Sequence, residues 1–225
     1  MTLVQSYDSH IVESLPKFYV SKQALTANRA HLHELGTVIC QHGLQEAVGV
    51  SLLHKHFDIA PDEQLVKEFA GNKATIRPQP TDTGSKVIPY LWKLETDQET
   101  GQGVYYPLEF VVMHEKTAGT DELVTMVHGK EDFLSALAAK LFELGLEDIF
   151  GISALYSNNF IHLHTDEMLV ETTDHETRTL TLSPFAKTQL EHEEMTETNW
   201  QFTAHIEGDA TTDCRSHCIS HCVGH

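Results

Sequence analysis

Apolar residues recur at helical spacing in two segments of the chain, and each segment runs into a glycine. In the first segment the apolar positions are Leu25, Leu32, Leu35, Val38 and Ile39; in the second they are Phe133, Leu134, Leu137, Leu141 and Leu144. Spacings of three and four residues predict amphipathic helices. Gly43 and Gly145 stand where a left-handed residue ends a helix, and Ser21 is the predicted N-cap of the first helix.

The segments that follow each helix have the alternation or the continuous apolar character of β-strands. Predicted strands cover residues 47–54, 64–69, 87–94 and 104–114 in the first half, and 149–156, 160–164, 167–172, 178–183 and 199–206 in the second. Most connections between them are too short for a helical crossover, so antiparallel pairing is expected. Linkers are predicted at 71–86, 95–103 and 115–130, and the middle one has the composition of a hairpin loop.

Two parts of the chain resemble each other at an offset of 102 residues, which becomes 104 after a two-residue slip. GLQEAVGVSLL at 43–53 matches GLEDIFGISAL at 145–155 in five of eleven positions, and DEQLV at 62–66 recurs as DEMLV at 166–170. We interpret this as duplication of a unit of about one hundred residues; the alternative is chance similarity between two helix-to-strand junctions. The predicted fold is α+β, an internally duplicated helix-plus-antiparallel-sheet unit whose strands form one or two curved sheets.

The duplication also predicts how the chain is divided. We expect a first repeat at 1–114, a second at 115–212 and a Cys/His-rich C-terminal segment at 213–225, together in one compact domain. A chain of this length is sufficient to bury a substantial core.

Charge and composition exclude several classes of function. The 225 residues are 40% hydrophobic and carry 15 basic against 33 acidic side chains, a formal net charge of −18. This charge repels nucleic acids and anionic membrane surfaces, and no basic patch offsets it. The N-terminal sequence lacks a signal-peptide pattern, and no apolar run is long enough to span a membrane. We therefore expect a soluble, cytoplasmic protein.

The sixteen histidines are the unusual feature of the composition, because imidazole is the commonest metal ligand in proteins. His54 and His56 close the strand-like segment GVSLLHKHF, and His162 and His164 close NFIHLH. Residues two apart on a strand share a face, so each pair can bind one metal ion. A carboxylate would complete a two-histidine, one-carboxylate site for zinc or ferrous iron. The candidate carboxylates are Asp58, Glu63, Asp166 and Glu167.

The duplication indicates further pocket residues. At the offset of 102 residues the corresponding positions are His42 and Leu144, His54 and Tyr156, and Cys40 and Phe142. Cys40 is therefore expected to fill the core. The residues predicted to line a pocket or to support the metal ligands are His42, Asp58, Glu63, Glu167 and Tyr156. The alternative for the histidines is a core or rim position in which each makes one hydrogen bond.

The C-terminal segment CRSHCISHCVGH is rich in metal-binding side chains. These are Cys214, His217, Cys218, His221, Cys222 and His225. In a helix they would form one continuous stripe. We predict metal ligands at Cys214, Cys218, His221 and Cys222; the alternatives are a redox-active thiol cluster and a stripe buried against the core. Because three of the four cysteines lie in this segment, thiols or a metal site are expected rather than a disulfide framework.

The segment VGVSLLHKHFDIAPDEQLV resembles a group of uncharacterised proteins of filamentous fungi that share a G-V-x-L-L-H-x-H-F core and a Cys/His-rich C-terminus. The resemblance covers about the first sixty residues and the C-terminal segment. It implies a soluble intracellular protein linked to small-molecule metabolism, and it supplies no catalytic residue.

Three functions fit these observations. No G-x-S-x-G, P-loop or G-x-G-x-x-G motif occurs in the chain, so the leading hypothesis is a zinc- or iron-dependent enzyme that acts on a small molecule at His54 and His56. The second is a noncatalytic metal- or ligand-binding protein whose C-terminal segment is a structural metal site or a homodimer contact. The third is an interaction module whose histidines respond to pH.

Overall fold

The structure, a computed structural model, describes residues 3–82, 84, 86–112, 129–155, 160–190, 193–207 and 210–223, and within these ranges ten strands close into one barrel. The helices are α1 (Ser9–Glu13), α2 (Phe18–Asn28), α3 (Leu32–Gln41) and α4 (Glu131–Leu144), with 3-10 turns at Arg29–His31 and Lys187–Leu190. The strands are β1 (Val48–Leu52), β2 (Glu63–Phe69), β3 (Ala74–Pro80), β4 (Val87–Thr96), β5 (Gly103–Val112), β6 (Phe150–Ala154), β7 (Glu167–Asp174), β8 (Thr179–Ala186), β9 (Met195–Glu207) and β10 (Ala210–Val223). No helix in the described part of the chain is long and apolar enough to cross a membrane.

The barrel is a mixed sheet. Its strands follow the order β1-β6-β4-β5-β2-β3-β8-β7-β10-β9, and β9 pairs with β1 to close it. Two neighbouring pairs, β2 with β5 and β7 with β10, are parallel, and the others are antiparallel. The predicted α+β fold with one or two curved sheets is therefore wrong, because the strands form one closed barrel with few helices. Closure depends on pairing between strands distant in sequence, which local alternation does not reveal.

The two halves make the same pairings. β2·β3, β4·β5 and β2·β5 in the first half correspond to β7·β8, β9·β10 and β7·β10 in the second. β1 and β6 pair with each other, and their register places Val50 opposite Ile152. β1 also pairs with β9, as β6 pairs with β4. The first strand of each half is therefore inserted between strands of the other half.

Several elements follow their sequence patterns. α3 ends at Gln41, with His42 between it and Gly43, and α4 ends at Leu144, directly before Gly145. Both glycines have left-handed φ angles, 67° and 64°, so both predicted helix ends are confirmed. The hairpin loop predicted at 95–103 is also confirmed, since β4 ends at Thr96 and β5 begins at Gly103. Ser21 is not an N-cap but lies inside α2, where its hydroxyl donates to the Leu53 carbonyl oxygen at 2.6 Å.

Three segments differ from their predicted structures. β3 lies within the linker predicted at 71–86. Its two prolines lie beyond its ladder with β8, where fewer backbone donors are needed. The segment predicted as a strand at 160–164 is a loop. The Cys/His-rich segment is not helical and forms β10. Most of the linker predicted at 115–130 lies outside the described residues.

Candidate functional site

The barrel encloses a cavity of about 80 Å³ to which all ten strands contribute lining residues. Much of the wall is leucine and isoleucine, but it also carries Lys67, Tyr90, Glu109 and Glu171. Charged groups inside a protein cost free energy unless they are compensated, and such groups cluster at functional sites. The volume accommodates a few water molecules or a small organic molecule.

Lys67, Tyr90 and Glu109 form one polar group, carried by β2, β4 and β5. The Lys67 Nζ lies 3.8 Å from the centroid of the Tyr90 ring, and the Tyr90 hydroxyl donates a hydrogen bond to Glu109 Oε2. Burial lowers the pKa of Lys67 to about 8, against the opposing effect of Glu109 and Glu171. Burial raises the pKa of Glu109. Both shifts favour the uncharged forms of these groups.

Glu171 lies on β7, across the barrel, and has different partners. Its Oε1 accepts hydrogen bonds from Thr198 Oγ1 at 2.9 Å, from Ser220 Oγ at 2.8 Å and from Asn199 Nδ2 at 3.2 Å. Asn199 Oδ1 accepts a hydrogen bond from the Ser51 hydroxyl. These donors compensate the burial of the carboxylate and fix its position.

His54 and His56 lie just beyond the end of β1 and line the same cavity. The Nδ1 of His54 is 2.9 Å from the Leu52 carbonyl oxygen, and the Nδ1 of His56 is 2.9 Å from Thr173 Oγ1. The two ring centroids are 4.5 Å apart. Metal-binding histidines are oriented in this way, with one ring nitrogen held by a backbone or side-chain oxygen. Because Nδ1 of each histidine already contacts an oxygen atom, Nε2 is the atom that would bind a metal ion.

Cys222 of β10 is the third donor near these histidines. Its Sγ and one ring nitrogen from each histidine all lie within 4.8 Å of one another. Donors bound to one zinc ion are roughly 3.3–3.8 Å apart, so side-chain adjustments of about 1 Å would bring the three onto one ion. Burial raises the pKa of the Cys222 thiol, and a bound cation would stabilise the thiolate instead.

A second group of donors consists of Glu197, Cys218 and His221, whose ligand atoms also lie within 4.8 Å of one another. The Cys218 Sγ is 3.6 Å from His221 Nε2, and Glu197 forms an ion pair with Arg29. His221 and Cys222 are consecutive on a strand and so project to opposite faces of it. β10 therefore contributes to two separate groups of donors.

Cys214 is not available as a metal ligand, which corrects the prediction for this residue. It forms a disulfide with Cys40 that joins β10 to α3 across a sequence separation of 174 residues. The expectation that Cys40 only fills the core is corrected with it. The pairing depends on α3 packing against β10, and the spacing of the cysteines gives no sign of that contact. Cys218 and Cys222 are free thiols.

His162 and His164 lie in an exposed loop before β7 rather than on a strand. The backbone N–H and C=O of His162 bond the Asn72 side chain at 2.7 and 2.8 Å, and the His164 N–H donates to Glu167 Oε2 at 2.9 Å. Asp166 is exposed in the same loop. Within the described ranges, neither histidine belongs to a group of three metal donors.

The other two predicted carboxylates are occupied by basic partners. Asp58 is exposed and pairs with Lys55 at 2.7 Å. Glu63 forms a two-pronged ion pair with Arg178, at 2.7 Å between Oε2 and Nη1 and 2.9 Å between Oε1 and Nη2. The structure thus places a cysteine, and neither of these carboxylates, beside the histidine pair.

His42 is exposed at the end of α3, with its ring centroid 5.6 Å from that of Phe133. It does not line the cavity that contains His54. Tyr156, the other pocket residue predicted from the duplication, lies outside the described residues.

Sequence reasoning missed the ionisable groups of the interior. One signal for them exists: the match between DEQLV and DEMLV is followed at once by Lys67 in one half and Glu171 in the other. In an open sheet such charged positions indicate a face exposed to water. In this barrel, Lys67 and Glu171 line the interior cavity instead.

No protein-family profile matches the chain, and no curated protein and no solved structure matches it. Any functional assignment therefore depends on the geometry of the described residues.

Proposed function

We propose that the barrel binds a zinc ion through His54, His56 and Cys222 and uses it to act on a small molecule in the interior. The observation that carries this proposal is the convergence of three donors, two from the first half and one from β10, beside a mainly apolar cavity whose wall carries a few ionisable side chains. Three protein donors with an open fourth position are typical of catalytic zinc. Such an ion would polarise a substrate oxygen or activate a bound water.

The donor set favours zinc over ferrous iron. Both metals fit two histidines and a carboxylate, but the third donor near the pair is a thiol. Thiolate ligands select zinc or copper, whereas nonhaem ferrous sites use a carboxylate. Zinc is therefore the metal to test first, with copper as the competing result.

The test is elemental analysis of full-length protein purified without a histidine tag, together with the His56→Ala and Cys222→Ser variants. We expect one zinc per chain in the wild type and its loss in both variants. Cobalt substitution adds an independent measurement, because a thiolate-to-cobalt absorption band should appear in the wild type and be absent from Cys222→Ser. Deletion of the C-terminal segment is unsuitable, since β10 is part of the barrel wall.

His221→Ala is the matched control. It lies next to Cys222 but belongs to the other group of donors, so the zinc content should remain that of the wild type. A wild-type protein without metal, or zinc that persists in Cys222→Ser, would overturn the proposal.

A second candidate is a noncatalytic protein in which the metal is structural. The grouping of Glu197 with Cys218 and His221 favours it, because these donors lie on the paired strands β9 and β10. In that case His221→Ala would lose the metal and His56→Ala would retain it. The homodimer contact predicted for the Cys/His-rich C-terminal segment stays part of the same alternative.

The cytoplasmic location and the link to small-molecule metabolism stay part of the proposal. The Cys40–Cys214 disulfide bears on the location, because glutathione and thioredoxin keep most cytoplasmic thiols reduced. In a reducing compartment these two residues would be neighbouring thiols between α3 and β10.

A further inference from the structure

Two lysines are almost completely buried, and their surroundings differ. Lys67 is 4% exposed and Lys93 is 3% exposed. The Nζ of Lys93 forms ion pairs with Glu95 and with Asp148 at 2.8 Å, and although burial opposes the shift, these partners raise its pKa. Lys93 is a compensated structural charge.

Lys67 has no comparable compensation. Its Nζ lies against the face of the Tyr90 ring, and among the described residues it takes part in no ion pair closer than 4.0 Å. The side chain also lines the cavity of the barrel. A buried amine that faces a cavity is the arrangement found in Schiff-base lysines.

We propose that Lys67 is a covalent capture site for a small carbonyl compound, an aldehyde or ketone that enters the barrel and condenses with Nζ to a Schiff base. The proposal assigns a ligand class to the interior and does not rest on the metal site. A metal ion at His54 and His56 would lie at the same cavity, but the condensation needs only the amine and the carbonyl.

The chemistry balances with the groups present. The Nζ lone pair attacks the carbonyl carbon, a C–N bond forms, and the carbonyl oxygen takes up a proton to give a carbinolamine. The C–O bond then breaks as a C=N bond forms, and the oxygen leaves as water, so the two protons that the nitrogen loses are balanced by the two hydrogens of the water. Protonation of the C=N bond restores one positive charge beside Tyr90, so the interior keeps the charge that it had with the ammonium.

The surroundings of Lys67 supply both the neutral amine and an acid. With its pKa lowered by burial to about 8, a fraction of about one tenth of Lys67 is neutral near pH 7. This is a few hundred times the fraction for a lysine of ordinary pKa. Glu109, joined to the polar group through Tyr90 and with a pKa raised by burial, is placed to deliver a proton to the leaving oxygen.

Lys67 lines two spaces of different size. One is the cavity of about 80 Å³, about half the volume of an engineered cavity that binds benzene. The other is a more open pocket of about 410 Å³ that Cys218 and His221 also line. Compounds of a few carbon atoms fit the smaller space, and larger carbonyl compounds fit only the second.

The test is reductive trapping with acetaldehyde. Full-length protein near neutral pH is treated with limiting acetaldehyde and sodium cyanoborohydride, and each modified lysine is quantified by peptide mass spectrometry. We expect Lys67 to be labelled about tenfold or more faster than Lys93 and faster than the exposed Lys130. If Lys67 stays unlabelled while Lys130 reacts, the proposal is wrong.

Two variants separate this result from a folding defect and from the metal proposal. Lys67→Arg retains the positive charge over Tyr90 and cannot form the adduct; its circular dichroism spectrum reports whether the barrel is intact. His56→Ala should retain labelling at Lys67 even if it loses its metal. Loss of labelling in His56→Ala with an intact barrel would contradict independence from the metal site.

Discussion

The two halves of the barrel are nearly equivalent where they pack and differ where they face the cavity. In the packed region, a Cβ added at Gly49 would lie 2.6 Å from the Trp200 carbonyl oxygen, and one added at Gly151 would lie 2.6 Å from that of Trp92. Each glycine thus allows a close approach of the neighbouring strand from the other half. Both positions carry glycine, and a side chain at either one would collide with the neighbouring strand.

In the interior, equivalent positions carry different chemistry. The pairings make the following positions correspond: Lys67 and Glu171, Tyr90 and Thr198, Leu91 and Asn199, Glu109 and Ser220. The first half carries an amine, a phenol and a carboxyl group. The second carries one carboxylate surrounded by hydroxyl and amide donors.

This difference separates the positions that allow the strands to pack from those that face the interior. The two wall glycines make equivalent close contacts in the two halves, whereas the cavity holds different polar side chains, and buried polar groups of this kind need hydrogen-bond partners. The proposed metal donors also differ between the halves. His54 and His56 come from the first half and Cys222 from the second, so only an asymmetric pair of halves builds the site.

The largest effect on stability is expected at the junction between a helix and a strand, because the two halves hold this junction together with different residues. Cys40 and Cys214 join α3 to β10; at the equivalent place between α4 and β5, Phe142 packs over Gly103, where a Cβ would lie 2.9 Å from the ring. Cys40→Ala with Cys214→Ala should lower the free energy of unfolding by about 2–5 kcal/mol, because the crosslink closes a long loop of the unfolded chain. Urea unfolding measures this.

The effect of a reductant on stability distinguishes the disulfide junction from the junction at Phe142. Adding dithiothreitol should lower the stability of the wild type to that of the double variant and leave the double variant unchanged. Phe142→Ala, the matched change at the other junction, should cost about 2 kcal/mol, less than the loss of a fully buried phenylalanine, because Phe142 is only half-buried. Its stability should remain sensitive to reductant. Equal stability of wild type and double variant under oxidising conditions would contradict the role given to the disulfide.

Local sequence patterns were sufficient to predict α4, the end of α3 and most of the strands. They missed α1, the division of the first predicted helix at Arg29–His31, and the closure of the strands into a barrel. The helix ends at Gly43 and Gly145 depend on neighbours within one turn, so they could be predicted. β10 could not, because a spacing of three and four residues between cysteines and histidines imitates a helix. In the strand, register shifts between Cys218 and Ser220 and between Ser220 and His221 interrupt the regular alternation.

The candidate site was predictable only in part, for a related reason. His54 and His56 are close in sequence and remain close in the structure. Their third donor, Cys222, comes from the far end of the chain through the parallel pairing of β10 with β7. Pairing over such separations is a property of the whole barrel, and a single sequence does not encode it in any local pattern.

A moderate effect is expected from the two wall glycines, and it tests their equivalence directly. Gly49→Ala and Gly151→Ala should each lower the free energy of unfolding by about 2–3 kcal/mol, because the new methyl group forces two strands apart. Gly71→Ala is the control: its φ is 61°, but a Cβ there meets nothing within 4 Å, so strain alone should cost about 1 kcal/mol. Urea unfolding curves give all three values. A clear difference between the two wall variants would show that the halves are not packed alike.

The smallest effect on stability is expected at two equivalent turns, each of which binds a residue of the other half. Arg178, between β7 and β8, binds Glu63; Asn72, between β2 and β3, binds the backbone of His162. Arg178→Ala should cost about 0.5–1 kcal/mol near pH 7, since the arginine is 43% exposed and solvent screens the pair. Asn72→Ala should cost about 1 kcal/mol.

The two turns should differ in their dependence on pH. The hydrogen bond from Arg178 lowers the pKa of Glu63 below its usual value of 4.5, so the ion pair stabilises the fold above that value. Its contribution is lost as the pH falls through the lowered pKa of the folded state. The stability difference between wild type and Arg178→Ala should therefore shrink on going from about pH 7 to about pH 3. The difference for Asn72→Ala should stay constant, because its partners are backbone groups that do not titrate; a parallel decline in both would refute the assignment to Glu63.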